Sequence, residues 1–268
     1  MFRHILYYVT SVFLLLHPYV CYSTDYKPDK ETEKRIEALL GKMTLEEKIG
    51  QMNQLHCENF PYLKTETRKG RVGSVMSITD PNIFNEVQRI AVEDSRLGIP
   101  LINARDVIHG FKTIFPIPLG QAASFNPEIA ETGARIAATE ASAAGIRWTF
   151  APMIDITHDP RWGRIAEGFG EDPLLVSQMG VAAIKGFQGS SLNHPTSIAA
   201  CAKHFAGYGA SEGGRDYNST YITERQFRNL YLRPFEAAVN AGAATLMTAF
   251  NDNDGIMTVF PLQPILSC

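Results

Sequence analysis

The chain has 268 residues, of which 45% are hydrophobic and 20% charged, with a formal net charge of -3. This is ordinary globular composition with a core of adequate size, and the length suits one large domain or two small ones. The mild acidity, without a basic stripe, excludes nucleic acid as an expected partner, and there is no internal repeat or low-complexity tract.

In chain order, the first feature is a short basic start, "MFRH", followed by the apolar run Ile5 to Leu16. That run is short for a membrane span and right for the apolar part of an export signal. Small residues in "CYS" at Cys21 to Ser23 place a cut before Thr24, so residues 1–23 read as a signal peptide and residues 24–268 as the domain. An uncleaved anchor and lipid attachment through Cys21 are the alternatives. The expected localisation is periplasmic or extracellular, without stable membrane insertion.

In "RIEALLGKM", Ile36, Leu39, Leu40 and Met43 form one apolar helical face. Thr44 and Glu47 then make a capping box for the next helix. From there strands and helices alternate. "VGSVMSI", "IPLINARDV", "RWTFAPMIDI", "SIAACAKHF" and "ATLMTAF" read as strands. Helical segments separate them, including one that opens at Pro127 and stops before Gly145. Pro234 predicts a break in the last helix. Cys21, Cys57, Cys201 and Cys268 have no zinc-site spacing, and Cys201 reads as a buried thiol. Neither a metal nor a cofactor is expected.

Continuous apolar strands alternating with helices imply a parallel sheet covered on both faces. Either an open doubly wound sheet or a (β/α)8 barrel satisfies this. The polar residues favour the barrel. Arg105 and Asp106, Asp155 and His158, Lys203 and His204, and Phe250 and Asn251 each follow an apolar strand. Side chains from the C-terminal ends of several strands then converge on one rim. No Gly-rich phosphate loop of the GxGxxG or GxxxxGK[ST] type follows any strand. Asp106, Arg164, Lys203 and His204 together offer a carboxylate, two cations and an imidazole, which suits the hydroxyls of a monosaccharide.

The segments "ARDVIHGFKTIFPIPLGQAASFNP", "DPRWGRIAEGFGEDP", "AKHFAGYGASEGGRDYN" and "LMTAFNDNDG" together resemble the N-terminal barrel of family 3 glycoside hydrolases, in particular exported bacterial β-glucosidases. The resemblance runs from about Ile36 to Gly255 and implies a (β/α)8 barrel, here with about five or six of its strands. It implies that Asp106, Arg164, Lys203 and His204 hold the sugar, and that Met247 and Phe250 line the pocket wall. It further implies retaining hydrolysis of terminal β-D-glucose-type residues from β-glucosides or oligosaccharides, using an Asp nucleophile and a Glu acid/base. Both catalytic groups are expected beyond Cys268, so the chain alone is expected to be inactive. Asp155, Asp159, Glu167 and Glu171 are not expected to replace the nucleophile, and Glu171-Asp172 reads as a helix N-terminal pair. Arg215 and Asp216 are expected to pair with each other. Two readings stay open: a β-glucosidase-type hydrolase portion, or a carbohydrate-binding remnant that does not cut. A barrel enzyme for a phosphorylated substrate is a weaker third.

Overall fold

The computed structural model describes residues 29–257. The signal-peptide reading, Cys21 and Cys268 therefore lie outside the described residues.

Helix α1 (Lys30–Leu40) starts where the Asp29 carboxylate accepts from the Glu31 and Thr32 amides. Helix α2 (Leu45–Gln51) carries the expected capping box, with both arms formed between Thr44 and Glu47. Then follow β1 (Gln54–His56), α3 (Phe60–Arg68), β2 (Ser74–Met76), α4 (Pro81–Arg89, continued as a π turn over Ile90–Asp94) and β3 (Ile102–Arg105). Helices α5 (Pro118–Ala122) and α6 (Pro127–Ala143) lead to β4 (Trp148–Thr149), and α7 (Pro173–Gln188) to β5 (Cys201–Phe205). Helices α8 (Glu224–Gln226, with a π turn over Phe227–Tyr231) and α9 (Arg233–Asn240) precede β6 (Thr245–Thr248) and the hairpin β7 (Asp252–Asn253) and β8 (Ile256–Met257). The Pro234 break falls as expected, with the proline in the first turn of α9, where its missing N–H costs no helical bond.

Strands β1 to β4 pair in parallel in chain order, as do β5 and β6. Backbone bonds join the two sets. The Thr149 amide donates to the Ala199 carbonyl (2.9 Å), and the Ile154 amide to the Lys203 carbonyl (2.8 Å). The result is an α/β array of six parallel strands, with no closed barrel among the described residues. The strand expected over "RWTFAPMIDI" keeps ladder geometry only at Trp148–Thr149, with an isolated bridge from Met153 to Lys203.

Helices α6 and α7 build the main core. Ala130, Gly133, Ala134, Ala137, Ala138 and Ala141 recur at helical spacing on one face of α6. Small side chains let α7 approach so closely that a Cβ on Gly186 would stand 2.3 Å from the Glu131 carbonyl oxygen. Met179, Ile184 and Phe187 fill the space beside it, each contributing about 1.5–3 kcal/mol by leaving water. The apolar face expected on α1 does not join any core: that helix buries no residue, and it ends before Met43.

Candidate functional site

Asp106 follows the last residue of β3. The next amide, Val107 N–H, donates to Thr149 Oγ1 on β4 (3.2 Å), which ties this turn to the neighbouring strand. From β5, the Lys203 ammonium reaches Asp106 Oδ1 at 3.0 Å and Glu167 Oε2 at 3.8 Å. Glu167 in turn accepts a fork from Arg164, with Nε at 2.7 Å and Nη2 at 2.9 Å. Asp106, Lys203, Glu167 and Arg164 thus form a row of alternating charge. The Lys203 side chain is 3% exposed and that of Asp106 is 54% exposed, so the row runs from the interior to the open rim. Burial opposes charge on both Arg164 and Glu167, but their forked contact outweighs it. Glu167 is held below the usual carboxylate range, with help from the Lys203 charge, and Arg164 above the usual guanidinium value.

His204 is buried beside Lys203. Its backbone N–H donates to Asp155 Oδ2 (3.0 Å), and its ring Nδ1 lies 2.8 Å from the same oxygen. Successive residues of a regular strand point to opposite faces. Here the ladder with β6 slips between Lys203 and Phe205, and this irregularity lets both members of the pair turn to carboxylates, as bulges near sites often do. The following loop folds tightly onto the segment after β4. Gly207 sits at φ 87°, and a Cβ on Gly209 would meet the Ile156 carbonyl oxygen at 2.3 Å.

Aromatic rings wall the site. Tyr208 is fully buried and meets the rings of His204 and Trp162 edge-on, each at 5.1 Å. Phe250 is exposed and stands 6.2 Å from His204, 5.8 Å from Tyr208 and 5.2 Å from Tyr217 between ring centroids. Met247 pairs with Lys203 across the β5–β6 ladder and is half-buried. All six residues singled out in the sequence therefore come together at the C-terminal end of the strands.

The expected Arg215–Asp216 pair does not form. Asp216 instead accepts from Trp162 Nε1 (2.9 Å) and from the Tyr208 hydroxyl (2.5 Å). The residue after it, Tyr217, takes φ 64°, and the turn aims Asp216 inward at the aromatic wall. Burial disfavours the Asp216 carboxylate, yet these two donors and Arg164 hold its pKa down, while burial and Asp216 push the Tyr208 phenol up. Of the remaining rim carboxylates, Glu171 is exposed, and Asp159 and Asp172 are engaged. Asp159 binds Arg161 through a fork and is lowered to about 2, and Asp172 caps α7 by accepting from the Leu175 amide (2.7 Å). Sequence reading missed the roles of Glu167, Tyr208 and Trp162. All three stand inside the quoted motifs, but nothing local says what they touch. Among the described residues no cluster of His, Cys, Asp and Glu is arranged to hold a metal.

A sheet of parallel strands with this charged rim belongs to a known family. The N-terminal domain of glycosyl hydrolase family 3 matches residues 44–263, and the chain belongs to that family. Among its relatives, the periplasmic beta-glucosidase of Salmonella typhimurium is 40% identical over 81% of this chain and 29% of its own length. A lysosomal beta glucosidase of Dictyostelium discoideum is 35% identical over 82% of this chain and 31% of its own. The beta-glucosidase of Listeria innocua, solved in complex with glucose, superposes with a TM-score of 0.79 at 40% identity, over 84% of this chain and 34% of its own. The chain thus spans about a third of the length of these relatives.

Proposed function

We propose that this chain is the glycone-binding part of a retaining β-glucosidase, with the six parallel strands as the first part of a (β/α)8 barrel. The observation that carries the reading is the buried Lys203, held between Asp106 and Glu167 beside His204 at one rim. A sugar hydroxyl both donates and accepts, so it can pair with each of these groups in turn. A site of buried donors and acceptors rejects a ligand that leaves them unpaired. In this reading Asp106, Arg164, Lys203 and His204 hold the terminal glucose of a β-glucoside or oligosaccharide, and Met247 and Phe250 wall it. In this reading the nucleophile and the acid/base, which a retaining enzyme sets about 5–5.5 Å apart, come from outside these 268 residues: Asp159, Asp155 and Glu167 are committed to Arg161, His204 and Arg164, and Glu171 is an exposed residue beside the α7 cap Asp172. The periplasmic and lysosomal relatives support export. No helix among the described residues is long and apolar enough to cross a membrane.

The test is to express residues 24–268, verify solubility, and assay aryl β-glucosides beside a full-length relative while measuring glucose binding. Glucose binding without turnover is expected. Turnover within about tenfold of the relative would place the chemistry inside this chain, and no binding would remove the sugar site.

A further inference from the structure

We propose that Asp155 is a positioning residue that fixes His204 as the tautomer protonated on Nδ1, so that the site accepts, and does not donate, a hydrogen bond at His204 Nε2. The sugar must therefore present a hydroxyl that donates at this point. The inference rests on the sugar-site reading above and adds a specificity rule to it.

The geometry is short and closed. Asp155 and His204 side chains are 0% and 1% exposed. Asp155 Oδ2 receives the His204 backbone N–H at 3.0 Å and faces Nδ1 at 2.8 Å. An ionised carboxylate can only accept, so the proton of this contact sits on the ring nitrogen. Asp155 Oδ1 is buried with no hydrogen-bond partner among the described residues. The two donors of His204 are thus what the carboxylate has to offset its desolvation, and it holds them firmly. Using the backbone and ring of one residue fixes the ring plane as well as its tautomer. In the neutral ring, a proton on Nδ1 leaves the lone pair on Nε2. The rings that meet His204, Tyr208 at 5.1 Å and Phe250 at 6.2 Å, wall the imidazole with apolar surface.

The experiment uses the 268-residue chain labelled with 15N-histidine, with the His204 resonances assigned through His204→Gln. The wild-type spectrum is expected to show a proton on Nδ1 and none on Nε2. Glucose is then titrated beside its monodeoxy and monodeoxyfluoro analogues, fluorine being able to accept weakly but not to donate. At one ring position the fluoro and deoxy sugars should bind equally poorly, each about tenfold or more weaker than glucose. Asp155→Asn keeps a carbonyl oxygen facing Nδ1 and should keep that pattern. Asp155→Leu removes the acceptor, moves the proton to Nε2, and should restore the fluoro sugar relative to the deoxy one. A proton on Nε2 in the wild-type spectrum, alone or with one on Nδ1, would overturn the proposal, as would a fluoro series that binds like glucose throughout. If the wild-type chain binds no glucose, the sugar-site reading falls and the specificity rule with it, even where the spectrum shows the Nδ1 proton.

Discussion

Two ion-pair groups flank Trp162, and they behave differently. On one side Arg161 forks onto Asp159 in water, with the arginine side chain 72% exposed. On the other side Arg164 forks onto Glu167, which reaches the buried Lys203. The local chemistry is the same, an arginine bidentate on a carboxylate two or three residues away. The outer pair closes on itself, while the inner pair is one end of a row that continues across two strands to Asp106. Exposed pairs contribute little because solvent screens them and the side chains lose freedom. Buried charges cost several kcal/mol each unless paired, so they persist where a use for them exists. The difference separates a loop staple from a site.

The largest expected effect comes from breaking the inner group completely. Asp106→Ala with Glu167→Ala leaves Lys203 buried without a carboxylate, and urea unfolding should show a loss of about 3–5 kcal/mol. Next is ligand affinity. Lys203→Ala removes charged hydrogen bonds to the sugar and should weaken glucose binding by about 1.5–3 kcal/mol, measured by calorimetric titration. Asp106→Ala should weaken it by a similar amount.

A smaller effect is the pH dependence of the inner pair. Glu167 is held below its ordinary value of 4.5. A carboxyl with a depressed folded pKa contributes stability that is present above its unfolded pKa and lost as pH falls through the folded one. The stability difference between wild type and Glu167→Gln should therefore be constant from neutral to about pH 5 and shrink below about pH 4. The smallest effect is at the outer pair: Arg161→Ala should leave the urea midpoint unchanged within error. A midpoint shift as large as that of the inner double variant would dissolve the comparison.

Much of this was legible in the sequence, for local reasons. A strand followed by polar residues, a capping box at Thr44 and Glu47, and a proline opening α6 are patterns within a few residues. Asp106, Lys203, His204 and Phe250 were legible because each ends an apolar run, whereas Arg164 and Met247 do not and were assigned their roles through the family resemblance. Other features depend on distant partners. Asp155 and His204 are 49 residues apart, and Trp162 and Asp216 are 54 apart; no spacing announces such pairs. Adjacency misled at Arg215 and Asp216, where the backbone turn decides the partner. Strand β1 is three residues long with two polar ones, so no apolar run marked it. On α1 the periodicity was real, but nothing among the described residues packs on Ile36 or Leu40 enough to bury them. Periodicity says which side would be buried, not whether a partner covers it.

The most direct test is a crystal structure of residues 24–268 soaked with glucose. The account predicts a pyranose ring with hydroxyl oxygens about 2.7–3.2 Å from Asp106, from Lys203 Nζ and from His204 Nε2. Glucose ordered elsewhere on the molecule, with this rim empty at a concentration that saturates binding in solution, would contradict it.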